Sequence, residues 1–344
     1  MLHALPVYHA LRARWPEAEL GWAIQSEYAE LVRGLPGLTR CFEFDRRGGI
    51  AAWIRLRRSL ATWPCDLAVD VQGNLKSGAT SFLARAALRV GLHPTDHRER
   101  IASRALHLHA PASTRPHAVD RSANLAAWLT GLELDAEDRS QLDLELSVRE
   151  RAEGRERLRS LLPHEGTPVL VQIGRDDDAR SARVEALVET AGALAAAGHS
   201  VLTLAGPAEQ EEARRVRTAC QEGRVRVAHL HDAIGIRRTA ALMAAASERD
   251  GRFLGSDSGP LHLAAAVGLS TVAWTGPQDP HRTGAWPTED REGSLHRTVW
   301  ADPRPDCAPC NARRCAHSDG PVCIDGIEPR ALVTAVGQPE ARSE

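Results

Sequence analysis

Short apolar segments alternate with amphipathic segments along nearly the whole chain. A short apolar run bounded by turn residues is typical of a buried strand, and the longer segments have helical periodicity. Repeated β–α units of this kind predict parallel sheets with helices on both faces, an α/β fold. The strand candidates are Leu20–Ile24, Leu67–Val71, Val169–Ile173, Val201–Ala205, Arg252–Gly255 and Thr271–Trp274, and the helix candidates include Leu75–Ala87, Ala118–Leu132, Ser181–Ala197 and Ile236–Ser247.

The length of 344 residues is too great for one ordinary core and fits two α/β domains. The charged segment Val148–Leu162 is predicted to be a helix that ends before Pro163, and a new strand begins at Pro168. We therefore predict two Rossmann-like domains, one over residues 1–160 and the other over residues 161–344.

The formal net charge of −2 is unevenly distributed along the chain. Residues 1–132 carry 17 Arg or Lys and 11 Asp or Glu, a net charge of +6, so the remainder carries −8. The weak overall charge and the few aromatic residues argue against nucleic acid as a partner. The basic amino-terminal part suits an anionic acceptor or an anionic membrane surface, although an ordinary solvated surface explains the same difference.

The sequence also indicates where the protein resides. It contains no apolar run of about 18 residues, and Met1–Pro6 lacks the layout of a signal peptide. Seven cysteines, four of them near the C-terminus, do not resemble the disulfide framework of a secreted domain. These observations predict a cytoplasmic protein.

The most informative segment is Gly255–Gly268, which reads Gly-Ser-Asp-Ser-Gly-Pro-Leu-His-Leu-Ala-Ala-Ala-Val-Gly. It predicts a strand end, a turn of small residues and a helix that begins around Ser258–Pro260. The N–H groups and positive dipole end of such a helix bind anions, and Gly259 would let a phosphate approach the backbone. Considered singly, Asp257 or Ser258 is better explained as an N-cap and His262 as a core residue. The whole segment is better explained as a diphosphate site, and we predict one here.

A second segment, Asp66–Ser77, places polar residues after a strand. Asp70, Gln72 and Lys76 lie at the predicted strand end and helix start, where open α/β sheets bind ligands. Lys76 is the only lysine among 43 basic residues, and its ammonium is suited to a carboxylate or phosphate. Considered alone, the segment is explained as well by a capped helix with one surface lysine.

A third segment contains clustered cysteines, Cys307, Cys310, Cys315 and Cys323. Four thiolates at short spacing can bind one zinc ion tetrahedrally, and such a zinc would be structural because every ligand comes from the protein. One or two disulfides, or four free thiols, remain open as alternatives.

Taken in order, these motifs resemble glycosyltransferase family 9, the ADP-heptose:lipopolysaccharide heptosyltransferases. The resemblance is carried by Asp70–Gly78, Arg98–Glu99, Gly255–Ala266 and Thr275–Pro280, and it covers nearly the whole chain. The Gln-Gly-x-x-Lys-Ser form is most similar to the members that act on Kdo (heptosyltransferase I). The resemblance implies a GT-B fold in which two Rossmann-like domains face a central cleft, with the acceptor bound by the first domain and the nucleotide sugar by the second.

The resemblance also implies an activity. It is the inverting transfer of heptose from ADP-heptose to the lipopolysaccharide inner core, on a lipid A–Kdo acceptor at the inner membrane surface and without an essential metal cofactor. Matched residue by residue, the donor site would comprise Asp257, Ser258, Gly259, Pro260, His262, Glu209 and Arg180. The acceptor site would comprise Asp70, Gln72, Lys76, Ser77 and Arg98.

Two positions depart from the family pattern. The family begins with a strand and a Ser-x-x-Gly-Asp turn whose Asp is the proposed general base, whereas this sequence starts just beyond it, at Leu2. We therefore expect no base at the matching position, an open slot in the first sheet and slow transfer. The family's Lys-x-Trp segment is replaced by Gly174–Arg183, so that Arg180 or Arg183 must supply the cation.

Three alternatives stay open at this point. A catalytically impaired nucleotide-sugar-binding protein of the same fold would account for the missing base. A zinc-containing nucleic-acid binder would use the cysteine segment, but the weak charge and few aromatic residues argue against it. A non-hydrolysing sugar-nucleotide epimerase shares the two-domain architecture but would lack the Gln72–Lys76 motif.

Overall fold

The structure, a computed structural model, describes residues 1–132, 142–164, 166–289 and 294–337. The chain divides into two compact units, Met1–Glu145 and Leu146–Glu344. Both units contain parallel sheets with helices between successive strands, which confirms the predicted α/β fold. Within the described residues, no helix combines the length and the apolar character needed to cross a membrane.

The first unit contains two parallel sheets, with strand orders β1–β2 and β3–β4–β5. In the described residues these two sheets are separate, because no strand of one pairs with a strand of the other. The strands are β1 (Leu20–Gln25), β2 (Leu38–Phe44), β3 (Leu67–Asp70), β4 (Leu88–Gly91) and β5 (Leu108–His109). The helices are α1 (Leu5–Arg14), α2 (Ala29–Arg33), α3 (Gly49–Ala61), α4 (Leu75–Leu83) and α5 (Ala118–Thr130), with 3-10 turns at Leu2–Ala4, Ser26–Tyr28 and Arg100–Ala105.

The second unit contains one six-stranded parallel sheet, with strand order β11–β10–β9–β6–β7–β8. Its strands are β6 (Pro168–Gln172), β7 (Ser200–Leu204), β8 (Ala228–Leu230), β9 (Arg252–Ser256), β10 (Ser270–Trp274) and β11 (His296–Val299). Its helices are α6 (Val148–Leu161), α7 (Val184–Ala196), α8 (Gln210–Glu222), α9 (Ile236–Ser247), α10 (Gly259–Ala266), α11 (Pro280–Thr283), α12 (Val322–Asp325) and α13 (Pro329–Val336).

The core of the second unit explains why its strands were recognisable. Val169, Val171 and Leu254 are fully buried between the sheet and its helices. Strands covered on both faces are continuous apolar runs, which is the pattern that the sequence displays. The sheet order reverses between β6 and β9, because β7 and β8 lie on one side of β6 and β9, β10 and β11 lie on the other.

The boundary between the units lies at Glu145–Leu146, earlier than the predicted boundary at residue 160. Helix α6, assigned to the first domain by the sequence, packs on α9 in the second unit instead. Gly154 approaches the backbone of Ala241 so closely that a Cβ at residue 154 would lie 2.2 Å from the Ala241 oxygen. The Glu150 carboxylate pairs with Arg237 of α9, a buried residue. The close packing at Gly154 and the Glu150–Arg237 ion pair therefore place α6 in the second unit.

Candidate functional site

The point at which the second sheet reverses its strand order lies between β6 and β9. In open α/β sheets, ligands bind outside the carboxyl ends of the strands at such a point. The loop after β6 begins at Ile173, and the turn after β9 consists of Asp257 and Ser258. The Gly174–Arg183 segment and the predicted diphosphate motif therefore follow the carboxyl ends of two neighbouring strands, β6 and β9.

Asp257 is buried and its carboxylate faces the protein. One oxygen, Oδ2, accepts a hydrogen bond of 2.8 Å from the Thr283 hydroxyl of α11. The other, Oδ1, lies 3.1 Å from Nε2 of His262. Asp257 thus orients the turn and the imidazole.

Ser258 stands at the N-cap position of α10, but its side chain does not cap the helix. The hydroxyl donates instead to Oε1 of Gln172, at the end of β6, across 3.1 Å. A Cβ added at Gly259 would meet no atom within 4 Å, so there is open space beside the start of the helix. An uncapped helix start with room beside it is suited to an anion, because its first N–H groups have no partners within the helix.

Arg180 supplies a cation beside this turn. Its Nη1 donates across 3.0 Å to the backbone oxygen of Asp257, and its backbone oxygen accepts from the Trp274 indole across 2.9 Å. The guanidinium also holds Asp178 through two hydrogen bonds of 2.8 and 2.6 Å. Burial alone would raise the pKa of Asp178, but these bonds lower it, so the Asp178 carboxylate stays ionised and fixes Arg180.

Arg183, the other candidate cation, is directed elsewhere. Its guanidinium is exposed and pairs with Asp325 of α12, with an Nε–Oδ1 distance of 2.8 Å. Of the two arginines that the sequence allowed, the structure places Arg180 at the β9 turn.

Glu209 follows β7, the strand beside β6. Its Oε2 accepts a hydrogen bond of 3.0 Å from the Gly206 amide, and burial raises the pKa of the carboxyl group. Strands β7 and β9 flank β6, so the strand ends that precede Glu209 and Asp257 are two strand spacings apart, roughly 10 Å. A ligand along this sheet edge would therefore pass Glu209, Arg180 and the start of α10 in that order.

A cavity of about 270 Å³ adjoins Asp257 on the other side of β9, at the ends of β10 and β11. Its lining includes Thr275, Asp279, Thr288 and Trp300. The hydroxyl of Thr275 is buried and has no hydrogen-bond partner among the described residues. The Thr275–Pro280 motif indicated this loop in the sequence, but not the cavity that it borders.

In the first unit, Asp70 and Ser77, which the sequence indicated as acceptor residues, both hold a turn. Asp70 is buried, and its Oδ1 accepts from the amides of Gln72 and Gly73 across 2.9 and 3.1 Å. Its Oδ2 accepts from the Ser77 hydroxyl across 2.9 Å, and Ser77 also forms a capping box with Asn74. The physical reason is that a tight turn after a buried strand leaves backbone N–H groups that need an acceptor.

The remaining acceptor candidates, Gln72, Lys76 and Arg98, are exposed around this turn. Glu99 ties the segments together, because its amide donates to the Gly73 oxygen across 3.2 Å and its carboxylate accepts from the Leu75 amide across 2.6 Å. Lys76 and Arg98 therefore stand next to the same turn, where both can pair with an anion.

The four clustered cysteines are free thiols in this structure. Cys307, Cys310 and Cys315 are exposed and Cys323 is buried. Burial, and then the charges of the three other thiols, raise the pKa of Cys323 to about 11. Within the described parts of the chain, however, no three potential ligands are arranged to hold a metal ion.

Comparison with known proteins decides the family. The sequence profile of glycosyltransferase family 9 (heptosyltransferase) matches residues 53–308, about three quarters of the chain. The chain belongs to glycosyltransferase family 9. The match includes the β9–α10 turn, the Gln72–Lys76 segment and the first residues of the cysteine segment.

Individual relatives of this glycosyltransferase agree with its membership of family 9. Lipopolysaccharide heptosyltransferase 1 of Pseudomonas aeruginosa is 25% identical, over 97% of this chain and 93% of the relative. The E. coli heptosyltransferase WaaC, solved with ADP, superposes with a TM-score of 0.71 at 20% identity, over 97% and 94% of the two chains. A family 9 glycosyltransferase of Veillonella parvula gives a TM-score of 0.76 at 16% identity, over 97% and 92%. These likenesses confirm the predicted GT-B fold.

Proposed function

We propose that this glycosyltransferase transfers heptose from ADP-heptose to the Kdo or heptose of the lipopolysaccharide inner core, with inversion at the anomeric carbon. The observation that carries the proposal is the β9–α10 turn at the point of strand reversal. The Ser258 hydroxyl is turned to Gln172 and the space beside Gly259 is open, so the start of α10 can receive a diphosphate. The relatives named for heptose transfer, and the neighbour solved with ADP, support the choice of nucleotide and sugar.

The donor side follows from the order of groups along the sheet edge. Glu209 would bind the ribose, Arg180 would lie beside the diphosphate, and the first N–H groups of α10 would bind it directly. His262, oriented by Asp257, would face the same anion from the first turn. When the glycosidic bond breaks, negative charge grows on the leaving ADP, and fixed donors and cations at this position stabilise that charge.

The acceptor side rests on the exposed cations of the first unit. Lys76 and Arg98 would bind the carboxylate or phosphate groups of the inner core, and Gln72 a hydroxyl. The attacking hydroxyl must also lose its proton to a base within hydrogen-bond reach. Asp70 is not suited to that role, because its two carboxylate oxygens already accept three hydrogen bonds in the turn.

We further propose that the enzyme works at the inner face of the inner membrane. The lipid A–Kdo acceptor of the related enzymes would be presented there, and the first part of the chain carries the net positive charge that an anionic surface attracts. The family resemblance implies transfer without an essential metal, and protein groups would then have to stabilise the leaving diphosphate.

Ligand screening followed by a transfer assay tests the proposal. In thermal-shift measurements with ADP, UDP and GDP, we expect ADP to stabilise the protein most. Mass spectrometry should then detect heptose added to a Kdo-containing lipid A precursor in the presence of ADP-heptose. A larger shift with UDP or GDP would contradict the donor assignment. ADP binding without transfer would favour the catalytically impaired alternative.

A further inference from the structure

Helix α3 has one face packed in the first unit and one face turned to solvent. Ala52, Leu56 and Leu60 are buried in a cluster that includes Phe42 and Phe44 of β2. On the opposite side, Ile50 is 79% exposed and Ile54 is 46% exposed. Residues four apart on a helix are neighbours on one side, so these two isoleucines form an exposed apolar pair, not covered by the described residues of the first unit.

Single exposed apolar residues are common on protein surfaces and need no explanation. The charge around this pair is what distinguishes it. Residues 46–65 contain five arginines and no Asp or Glu. Arg46, Arg47, Arg55, Arg57 and Arg58 are all exposed, and none forms an ion pair with another described residue.

We propose that α3 docks this glycosyltransferase on an anionic lipid surface, with Ile50 and Ile54 at the boundary between headgroups and acyl chains and the arginines paired with lipid phosphates. A helix with apolar residues on its free side and arginines around them is suited to a membrane interface, where the arginine stems extend along apolar surface while the guanidinium stays in water. The inference rests on the proposed function, because a lipid-anchored acceptor gives the enzyme a reason to bind membranes.

The apolar pair argues for a lipid surface over a soluble anion or nucleic acid. A free phosphate would be bound by the arginines alone and would leave Ile50 and Ile54 in water. Nucleic acid would be met by exposed aromatic rings, whereas Trp53, the aromatic residue of α3, packs against the buried cluster.

Co-sedimentation with vesicles tests the proposal. The protein should bind vesicles that contain phosphatidylglycerol, bind pure phosphatidylcholine vesicles much more weakly, and be released by high salt. An I50S/I54S double variant should bind anionic vesicles about tenfold more weakly, because apolar surface is no longer removed from water. Val148→Ser is the matched control, since Val148 is 84% exposed at the start of α6 in the second unit, and this variant should bind like the wild type.

A second pair of variants separates local from overall charge. An R57Q/R58Q variant should bind roughly 25-fold more weakly, at about fivefold for each arginine. An R157Q/R238Q variant removes two exposed arginines from the second unit and should bind nearly as well as the wild type. Equal binding to neutral vesicles, or wild-type binding by the I50S/I54S variant, would overturn the proposal.

Transfer to a deacylated, soluble acceptor separates this inference from the proposed function. The I50S/I54S variant should transfer heptose to it at the wild-type rate and lose rate only with a vesicle-bound acceptor. A loss on the soluble acceptor would place α3 in the acceptor site and would overturn the docking role. Absence of transfer by the wild type itself would instead contradict the proposed function.

Discussion

Nε2 of His262 lies 3.1 Å from Oδ1 of Asp257, so a buried carboxylate fixes the imidazole at the first turn of α10. We predict that His262→Ala weakens ADP binding about tenfold to hundredfold, the range expected when a hydrogen bond to a charged group is lost. Adenosine, which lacks the diphosphate, should bind both proteins equally. Isothermal titration with the two ligands measures the difference.

The coupling between these two residues can be tested by a double-mutant cycle. If Asp257 acts through His262, Asp257→Ala and His262→Ala should each weaken ADP binding, and the double variant should lose little more than either single variant. Losses that simply add would show that Asp257 acts on the nucleotide by another route. Unchanged ADP affinity in the double variant would remove the β9–α10 turn from the donor site.

The two arginines of the loop after β6 provide a matched comparison. Arg180 contacts the backbone of Asp257, whereas Arg183 pairs with Asp325 of α12. We predict that Arg180→Gln weakens ADP binding by about tenfold, because a cation beside the diphosphate is lost and Asp178 loses its partner. Arg183→Gln should leave ADP affinity unchanged in the same titration, and a larger effect of Arg183→Gln would reverse our assignment.

Lys76 is predicted to act on the acceptor and not on the nucleotide. Lys76→Ala should lower kcat/KM for the acceptor about tenfold to hundredfold, because a charge-assisted bond to an anion is removed. Titration should show unchanged ADP affinity, and Lys76→Arg should recover part of the activity because it keeps the charge. Loss of ADP binding in Lys76→Ala would place this residue on the donor side.

Much of the second unit could be predicted from its sequence for a simple reason. Strands β6, β7, β9 and β10 are buried at four of their five positions, and most of these buried residues are apolar. The edge strands β2 and β8 were not among the strand candidates. β2 contains Arg40 and Glu43 among its apolar residues, and β8 is only three residues long.

The site was predicted in its motifs but not in its contacts. The β9–α10 segment indicates a helix start, but the hydrogen bond from Ser258 to Gln172 joins residues 86 positions apart. Likewise, no local pattern distinguishes Arg180 from Arg183, because their partners lie on different strands and helices. Asp70 shows the opposite error, since a polar residue after a strand was interpreted as a ligand although it satisfies the amides of its own turn.

The cysteine segment still predicts a structural zinc site, although its described residues are not arranged around a metal ion in this structure. Besides burial, the charges of Cys307, Cys315 and Cys310 raise the pKa of Cys323, and a zinc ion would offset the mutual repulsion of the four thiolates. We predict about one zinc per chain in metal analysis of protein purified under reducing conditions. Cys323→Ser should lower both the zinc content and the melting temperature. Absence of metal, or disulfides in freshly alkylated protein, would contradict this prediction.

Buried histidines at the edge of the second sheet should make stability depend on pH. His231 is buried, its Nε2 lies 2.9 Å from the Thr203 hydroxyl, and burial followed by the charges of His229 and Arg217 lowers its pKa from 6.5 to about 4. Because the folded pKa is the lower one, the unfolded chain binds the proton first. The stability is therefore present above about pH 6.5 and is lost as the pH falls toward 4.

We predict that His231 alone makes the free energy of unfolding about 2 kcal/mol smaller at pH 5 than at pH 7. Urea titrations at the two pH values measure this change. Burial alone would raise the pKa of Glu150, but hydrogen bonds from Arg237 and Ser147 lower it to about 2. Glu150 therefore contributes mostly below pH 5, outside the range of this comparison. His231→Gln should remove most of the dependence, and the part that remains would come from His229 and His199, whose pKa values burial also lowers. His164→Gln, at an exposed position, should keep the wild-type dependence. If His231→Gln lost as much stability on acidification as the wild type, the buried imidazole would not be the group that titrates.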